Sequence, residues 1–301
     1  MNESPPAAPV CYRHTSRESW VRCTRCERPI CPDCMNEASV GHQCPECVAE
    51  GRRTQRPVRT AFGGSAAGQH GFVTKTLIGI NVAVALLAAG IGGLGAIAGG
   101  AWGGLLGGGT ALHLHGAMLG YGVYVPGGPL HGVVAGEYYR LFTSMFLHYG
   151  LLHLLMNMWA LWIIGRTLEG ALGRARFLTL YLVSGLGGSV AVYYFAPTSL
   201  AAGASGAIFG LFAALFVILR RLGRDTSGVV PILVINLIFT FTVPGISIAG
   251  HLGGLVVGAI AAAILAYAPR RHRTLVQVWG SVLLVAALIG LTLLRTALLL
   301  G

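Results

Sequence analysis

The sequence predicts an all-α polytopic membrane protein that is preceded by a small cysteine-rich module. Of its 301 residues, 54% are hydrophobic and only 10% are charged, and the mean hydropathy is +0.69. A soluble domain needs more polar surface than this composition provides, so most of the chain must face lipid. All seven cysteines lie between Cys11 and Cys47, which separates a short N-terminal part from a cysteine-free remainder.

Composition divides the chain into three parts. Residues 1–50 are interpreted as a cytoplasmic Cys/His module, residues 51–71 as a basic flexible linker, and residues 72–301 as the membrane domain. The linker arginines either lie against anionic headgroups of the inner leaflet or belong to a merely solvated tether. They are Arg52, Arg53, Arg56 and Arg59.

The net charge of +11 raises the question of nucleic-acid binding. The arginines, however, lie mainly in short loops and in the N-terminal region, where a membrane protein carries positive charge in any case. The lipid bilayer is therefore the expected partner, and nucleic acid is not.

Seven apolar runs alternate with short basic loops from Phe72 onward. Several of them approach the roughly 17–25 residues that a spanning helix needs, and the fifth is short. The predicted spans are 74–92, 149–167, 176–196, 203–221, 228–243, 246–267 and 276–298.

The arginines of the membrane domain predict its orientation. They cluster after spans two, four and six, at positions 166–176, 220–224 and 270–273. The opposite loops are almost free of them, apart from Arg140 and Arg295. The excess of positive charge in cytoplasmic loops predicts a multi-pass protein of the plasma (inner) membrane, with a cytoplasmic N-terminus and an extracellular C-terminus. The even-numbered spans then run from outside to inside.

Polar side chains occur at similar depth in three of these spans. Ser205 lies at the start of span four, His251 about five residues into span six, and His153 and Asn157 early in span two. At 1.5 Å per residue, His251 is roughly 8 Å along its helix. Because an ionisable residue inside a membrane segment is costly, this shallow layer is a candidate functional site.

Ser205 and His251 suggest a nucleophile and its base. A serine hydroxyl is a poor nucleophile until a neighbouring base removes its proton, and histidine has a pKa near neutrality. Beyond the N-terminal module, the only acidic residues are Glu137, Glu169 and Asp225. The last two fall in cytoplasmic loops, and Glu137 is a remote candidate. The sequence therefore predicts a Ser–His dyad.

Glycines and further donors surround the two residues. Gly203 and Gly206 allow a peptide backbone to approach Ser205, whose N–H lies in the first turn of a helix and has no intrahelical partner. Such an N–H can stabilise an oxyanion. His153 and Asn157 are spaced i, i+4 and can add donors from one helical face. Small residues at 254 and 258 predict close packing of span six on span four.

Over most of residues 72–300, the chain resembles the rhomboid intramembrane serine proteases. The matching motifs are Gly203-Ala204-Ser205-Gly206, His251-Leu252-Gly253-Gly254 with Gly258, and His153-Leu154-Leu155-Met156-Asn157 preceded by His148. The resemblance implies a six-helix core, here with one additional C-terminal transmembrane helix. It also implies transmembrane proteins as substrates and catalysis without a cofactor.

The resemblance assigns roles to individual residues. It implies that Ser205 is the nucleophile and His251 the general base. His153, Asn157 and the Ser205 N–H would donate to the oxyanion, with His148 as a further histidine near the site. Two departures bear on rate or specificity: Tyr139-Arg140 stands where many members have Trp-Arg, and Phe209 stands where tyrosine is common.

Two other readings of the polar layer stay open. A catalytically inactive relative would bind client transmembrane helices without cleaving them. A transporter also places polar groups within the membrane, but near the midplane rather than towards the outside.

The N-terminal module has the spacing of a zinc-binding domain. Its candidate ligands are one Cys-x-x-His pair and three Cys-x-x-Cys pairs: Cys11, His14, Cys23, Cys26, Cys31, Cys34, Cys44 and Cys47. Eight such ligands make two tetrahedral sites with no open position, so the zinc would be structural. So short a module has little core, and metal would supply its folding energy. A thiol redox centre and an iron–sulfur cluster are the competing readings.

The spacing over about residues 8–48 resembles a B-box-type zinc finger. That resemblance implies interleaved sites, with the first and third pairs on one ion and the second and fourth on the other. His42 is an alternative to a member of the last pair. The module is expected to bind a cytoplasmic protein partner or to position substrate.

Overall fold

The computed structural model describes residues 7–55, 58–65, 70–93 and 109–301. The chain forms two compact units, Met1–Pro57 and Val58–Gly301.

The first unit is built around its cysteines. Strand β1 (Asn36–Glu37) pairs antiparallel with β2 (His42–Gln43), and helix α1 (Pro45–Thr54) follows. The Cys44 sulfur accepts the Cys47 N–H at 3.4 Å and so caps this helix. Six of the seven cysteines are buried, together with Ile30. Thiols therefore provide most of the interior of this unit.

The described residues of the second unit include seven long helices, and each lies within a few residues of a predicted span. They are α2 (Phe72–Gly92), α5 (Leu151–Leu172, with a π-helical turn at Leu161–Gly165), α6 (Arg174–Phe195), α7 (Ser205–Arg221), α8 (Val229–Thr242), α9 (Ile248–Tyr267) and α10 (Arg273–Leu300). Among the described residues, α2, α5, α6, α9 and the stretch Arg270–Leu300 are long and apolar enough to cross a membrane. Helices α7 and α8 have 17 and 14 residues. The predicted fold class, an all-α polytopic membrane protein, is confirmed.

Helices α6, α7 and α9 pack backbone against backbone. A methyl group added at Gly254 of α9 would collide with the carbonyl oxygen of Gly206 on α7. One turn later, Gly258 faces Gly210 in the same way, and Gly188 of α6 faces the carbonyl of Gly250. Glycine at these crossings lets the helices approach more closely than any side chain permits. The predicted packing of span six on span four is present.

We expect Gly254→Ala to lower the stability of the membrane domain by about 1–3 kcal/mol, the usual cost of overpacking a tight interior. The added methyl meets backbone atoms of Gly206, which cannot rotate away as a side chain would. Thermal unfolding in detergent measures the effect. Gly79→Ala in α2 is the matched control, because nothing lies within 4 Å of its added methyl group. Equal melting temperatures for the two variants would contradict the tight crossing.

A buried carboxylate joins α5 to the start of α2. Glu169 is fully buried and accepts the N–H groups of Val73 at 3.0 Å and Thr74 at 2.9 Å, as well as the Thr74 hydroxyl. A negative charge at a helix N-terminus is favourable because the first N–H groups there have no intrahelical partner. Glu169 thus holds two helices together and is engaged away from the candidate site.

The segment between α2 and α5 is folded over residues 109–147. It contains helix α3 (Ala111–Gly116), the hairpin of β3 (Gly122–Val123) and β4 (Leu130–His131), and helix α4 (Arg140–Thr143). Residues 94–108, which precede this segment, lie outside the described residues.

Arg140 organises this segment from a fully buried position. Its guanidinium donates to the carbonyls of Leu114 and Ala117, to the Tyr124 hydroxyl and to the Glu137 carboxylate. Burial alone would raise the pKa of Glu137, but hydrogen bonds from His131, Arg140 and the Gly132 N–H lower it below its ordinary value. Glu137 is therefore an ionised partner of Arg140.

The structure divides the residues that were expected to form one flexible linker. Residues 51–54 are the last turn of α1, whereas Phe62 is 4% exposed and packs into the core of the second unit. The Phe62 carbonyl accepts from Gln277 and that of Ala61 accepts from Arg273, both on α10. The boundary between the two units falls between Pro57 and Val58. Residues 61 and 62 belong to the second unit because the Phe62 ring is buried in its core and both carbonyls are hydrogen-bonded to α10.

Arginines stack on aromatic rings at the ends of the helices that carry the basic loops. The guanidinium carbon lies 4.8 Å from the ring centre in Arg166–Trp162, 4.7 Å in Arg174–Phe72 and 5.5 Å in Arg221–Tyr267. We call these three pairs the arginine–aromatic belt. Cations on aromatic faces suit the boundary between hydrocarbon and headgroups.

Candidate active site

A left-handed glycine places Ser205 at the first position of α7. Gly203 has φ +136°, and its N–H donates to the Ser144 carbonyl at 2.9 Å. A Cβ atom at this position would lie 2.8 Å from Cε1 of the His153 ring. Both the backbone angle and the contact therefore require glycine. The chain turns sharply here and presents the serine hydroxyl at the helix end.

His251 lies in the first turn of α9, opposite the serine. Its Nε2 atom is 2.8 Å from Ser205 Oγ. Ser247 caps the helix by accepting the Gly250 N–H, and Phe209, one turn along α7, stacks on the imidazole at 4.2 Å between ring centres. The imidazole is thereby held in one plane against the serine.

Thr240 contacts the other nitrogen of the imidazole. Its hydroxyl oxygen is 2.8 Å from His251 Nδ1, and its side chain is 2% exposed. No motif in the sequence marks this residue. Two threonines, Thr240 and Thr242, close the apolar span, and hydropathy alone does not tell which one faces the bundle.

The two histidines before and within α5 lie beside the serine. A Cβ atom built on Gly203 would lie 2.9 Å from His153 Nε2 and 3.4 Å from Ser205 Oγ. The His153 ring and the serine hydroxyl are therefore both next to Gly203. His148 Nε2 accepts the Ala204 N–H at 3.4 Å, and the rings of the two histidines are 5.1 Å apart.

Asn157 is placed differently. Its amide donates to the His153 carbonyl at 2.8 Å, a bond within its own helix, and its side chain is buried. The amide carries a second N–H that this bond does not use.

Three helix N-termini converge on the serine. Helix α5 begins at Leu151, α7 at Ser205 and α9 at Ile248, and their first N–H groups have no intrahelical partners. Each N-terminus carries a partial positive charge. The arrangement therefore favours a negative charge that develops beside the serine oxygen.

A hollow of about 40 Å³ lies between the serine and the surrounding helices. Its lining includes Ser205, His251, Gly203, Ser144 and Ser189. This volume accommodates water, for which roughly 10–15 Å³ of such space suffices, but not a peptide.

The acidic side chains of the membrane domain are engaged elsewhere. Glu137 binds Arg140 and Glu169 caps α2, while Asp225 accepts from Ser227 in the exposed loop after α7. Among the described residues, a threonine hydroxyl and not a carboxylate meets His251 Nδ1.

In the first unit, two groups of ligand atoms are preassembled. Within each group the atoms all lie within 4.8 Å of one another: Cys11, His14, Cys31 and Cys34 in one, and Cys23, Cys26, Cys44 and Cys47 in the other. These are the interleaved sets that the B-box resemblance implies, and His42 belongs to neither. The Cys26 and Cys44 sulfurs are 3.8 Å apart, close to the ~3.8 Å edge of a tetrahedron with Zn–S bonds of about 2.3 Å. The donor set fits zinc.

The thiols of these groups differ in their pKa values. Burial alone would raise the pKa of Cys11. Hydrogen bonds from the N–H groups of Cys31, Arg13 and His14 outweigh that effect and lower the pKa to about 6. Burial and the neighbouring thiols raise the pKa of Cys47 to about 12. Crowded thiols thus compete for protons, and a bound cation relieves that competition.

Comparison with known proteins agrees with the membrane part of the structure. Residues 135–268 match the Rhomboid domain. The chain is 40% identical over 163 residues to rhomboid protease GluP of Bacillus subtilis, covering 52% of this chain and 32% of that protein. Two proteins of Arabidopsis thaliana are also similar. RHOMBOID-like protein 6, mitochondrial, is 35% identical over a match that covers 46% of this chain and 47% of that protein. RHOMBOID-like protein 4 is 36% identical over a match that covers 46% of this chain and 36% of that protein.

The chain thus spans about one third to one half of the length of these three relatives. The matched residues include Ser205, His251 and the belt residues Trp162 and Arg166. Residues 135–268 of this multi-pass membrane protein are therefore similar to the Rhomboid domain.

Proposed function

We propose that the protein is an intramembrane serine endopeptidase that hydrolyses peptide bonds in or near transmembrane segments of membrane proteins. The observation that carries the proposal is the 2.8 Å contact between Ser205 Oγ and His251 Nε2, beside a small hollow and three helix N-termini. The similarity to rhomboid proteases supports the same activity.

The chemistry follows from these positions. Ser205 Oγ attacks the substrate carbonyl carbon while its proton passes to His251 Nε2. The oxyanion accepts from the Ser205 N–H and from His153, and Asn157 and His148 are auxiliary candidates. The imidazolium then protonates the leaving amine. Water, for which the hollow has room, adds to the acyl-enzyme and restores the serine.

Substrates are proposed to be transmembrane proteins whose helix unwinds near its outer end, because a helical backbone hides its peptide bonds. The positive loops support a plasma-membrane location with a cytoplasmic N-terminus and an extracellular C-terminus. The first unit is proposed to hold two structural zinc ions, coordinated by its two preassembled groups, and to bind a cytoplasmic protein partner.

The test uses the full chain in lipid vesicles with a single-span reporter. We expect cleavage within or beside the reporter's transmembrane segment, mapped by mass spectrometry of both products. A fluorophosphonate probe should abolish that cleavage and add its mass to the peptide that contains Ser205. A protein that neither cleaves a panel of single-span reporters nor reacts with the probe, yet retains them on purification, would instead be a catalytically inactive relative that binds client helices.

A further inference from the structure

Helix α8 contributes one buried polar side chain to the bundle. Only Val229 and Thr240 are buried among its residues, and most of its other side chains are exposed, as expected of a helix that faces lipid. Thr240 lies near the end of α8, at the level of the first turn of α9 that carries His251. Its hydroxyl is thus the one polar group that α8 places against the dyad.

A threonine hydroxyl has one proton to donate. Thr240 Oγ1 is 2.8 Å from the Asn236 carbonyl oxygen and 2.8 Å from His251 Nδ1. A carbonyl can only accept, so both contacts are hydrogen bonds when Thr240 donates to Asn236 and accepts from His251. The imidazole must then carry its proton on Nδ1.

The consequence for the opposite nitrogen is direct. A neutral imidazole with its proton on Nδ1 has a lone pair on Nε2. That lone pair faces Ser205 Oγ at 2.8 Å and accepts the serine proton. With the proton on Nε2 instead, the imidazole would donate to the serine and could not act as its base.

We infer that Thr240 is a positioning residue that fixes His251 in the tautomer a general base requires. The inference rests on the proposed peptidase function. Phe209 holds the plane of the ring by stacking, but stacking does not distinguish the two nitrogens. Thr240 supplies that distinction, in the place where soluble serine proteases use a carboxylate.

A neutral acceptor suits this location. When the serine proton arrives on Nε2, the imidazolium still donates Nδ1–H to the threonine oxygen, and no proton moves to Thr240. A carboxylate would stabilise the imidazolium more strongly, but an ionised side chain within a membrane segment is costly while the enzyme rests. The hydroxyl keeps the site neutral between turnovers.

The test compares three variants in the reporter assay. Thr240→Val keeps the branched shape and removes the acceptor, so we expect kcat to fall about 10- to 100-fold with KM unchanged, the scale of an impaired general base. The rate of fluorophosphonate labelling should fall in parallel. Thr240→Ser should stay within about 3-fold of wild type. Thr242→Val is the matched control, because Thr242 bonds back to the Ile238 carbonyl in the same way and is exposed.

Each outcome bears on the inference. Equal kcat for Thr240→Val and Thr242→Val would overturn the positioning role, while loss of cleavage in Ser205→Ala would leave the proposed function standing. Thr240→Ser as slow as Thr240→Val would also overturn it, because packing of the methyl group would then be the cause. If Thr240→Val unfolds at a lower temperature than wild type, Thr240→Cys replaces it in the assay. Cysteine is similar in size but a weak acceptor, so we expect Thr240→Cys to cleave the reporter slowly. Cleavage by Ser205→Ala at the wild-type rate would instead defeat the proposed function.

Discussion

We expect cleavage of a single-span reporter to fall at least ~10⁴-fold when Ser205 is replaced by alanine, and we expect His251→Ala to cause a loss of similar size. The serine variant has no oxygen to form the acyl-enzyme, and the histidine variant leaves the hydroxyl without the base now 2.8 Å away. The double variant should be no slower than either single one, because two groups that act as a unit are not additive. Initial rates in vesicles, from quantified products, measure all three.

Ser281→Ala is the control for these variants. Ser281 lies on α10 and donates to the Gln277 carbonyl, away from the dyad, so its removal should leave the rate unchanged. Equal cleavage by wild type, Ser205→Ala and His251→Ala would refute the assigned dyad. An additive loss in the double variant would mean that the two side chains contribute separately.

Removal of zinc ligands should unfold the N-terminal unit. We expect two zinc equivalents per chain, and one after Cys23 and Cys26 are both replaced by serine, because these thiols belong to the same group. Structural zinc sites contribute roughly 10–16 kcal/mol of apparent binding free energy, which a unit whose interior is mostly cysteine cannot replace. Elemental analysis gives the metal content, and amide hydrogen exchange reports the unfolding.

His42→Ala is the matched variant for the zinc sites. His42 lies in β2 outside both ligand groups, so two equivalents of zinc should remain. Loss of one equivalent in this variant would make His42 a ligand. Iron in place of zinc, or unchanged zinc in the double cysteine variant, would refute the proposed sites.

The spans were predictable because the hydropathy of a run is a local property of the sequence. The direction of the even-numbered spans also placed Ser205 and His251 at a common depth, and the structure has them in contact. The two ligand groups are those that the resemblance to a B-box-type zinc finger implies.

Other features depend on how helices are rotated against one another, which no local pattern records. Thr240 faces the bundle and Thr242 does not, although both close the same apolar run. The Phe62 carbonyl accepts a hydrogen bond from Gln277, which lies more than 200 residues away along the chain. Asn157 shares a helical face with His153, as expected, but its amide is bound to the carbonyl of that residue.

The arginine–aromatic belt has a consequence for bilayer thickness. Ser205 and Arg221 are the first and last of the 17 residues of α7, so about 24 Å separates them along the helix axis. A belt anchored at one headgroup boundary of a hydrocarbon layer about 30 Å thick therefore sets the serine roughly 6 Å inside the opposite boundary. A bilayer thinner by that amount brings the hydroxyl level with the headgroups. Under the proposed function, lipid chain length would then select which peptide bond of a substrate's transmembrane helix reaches the serine.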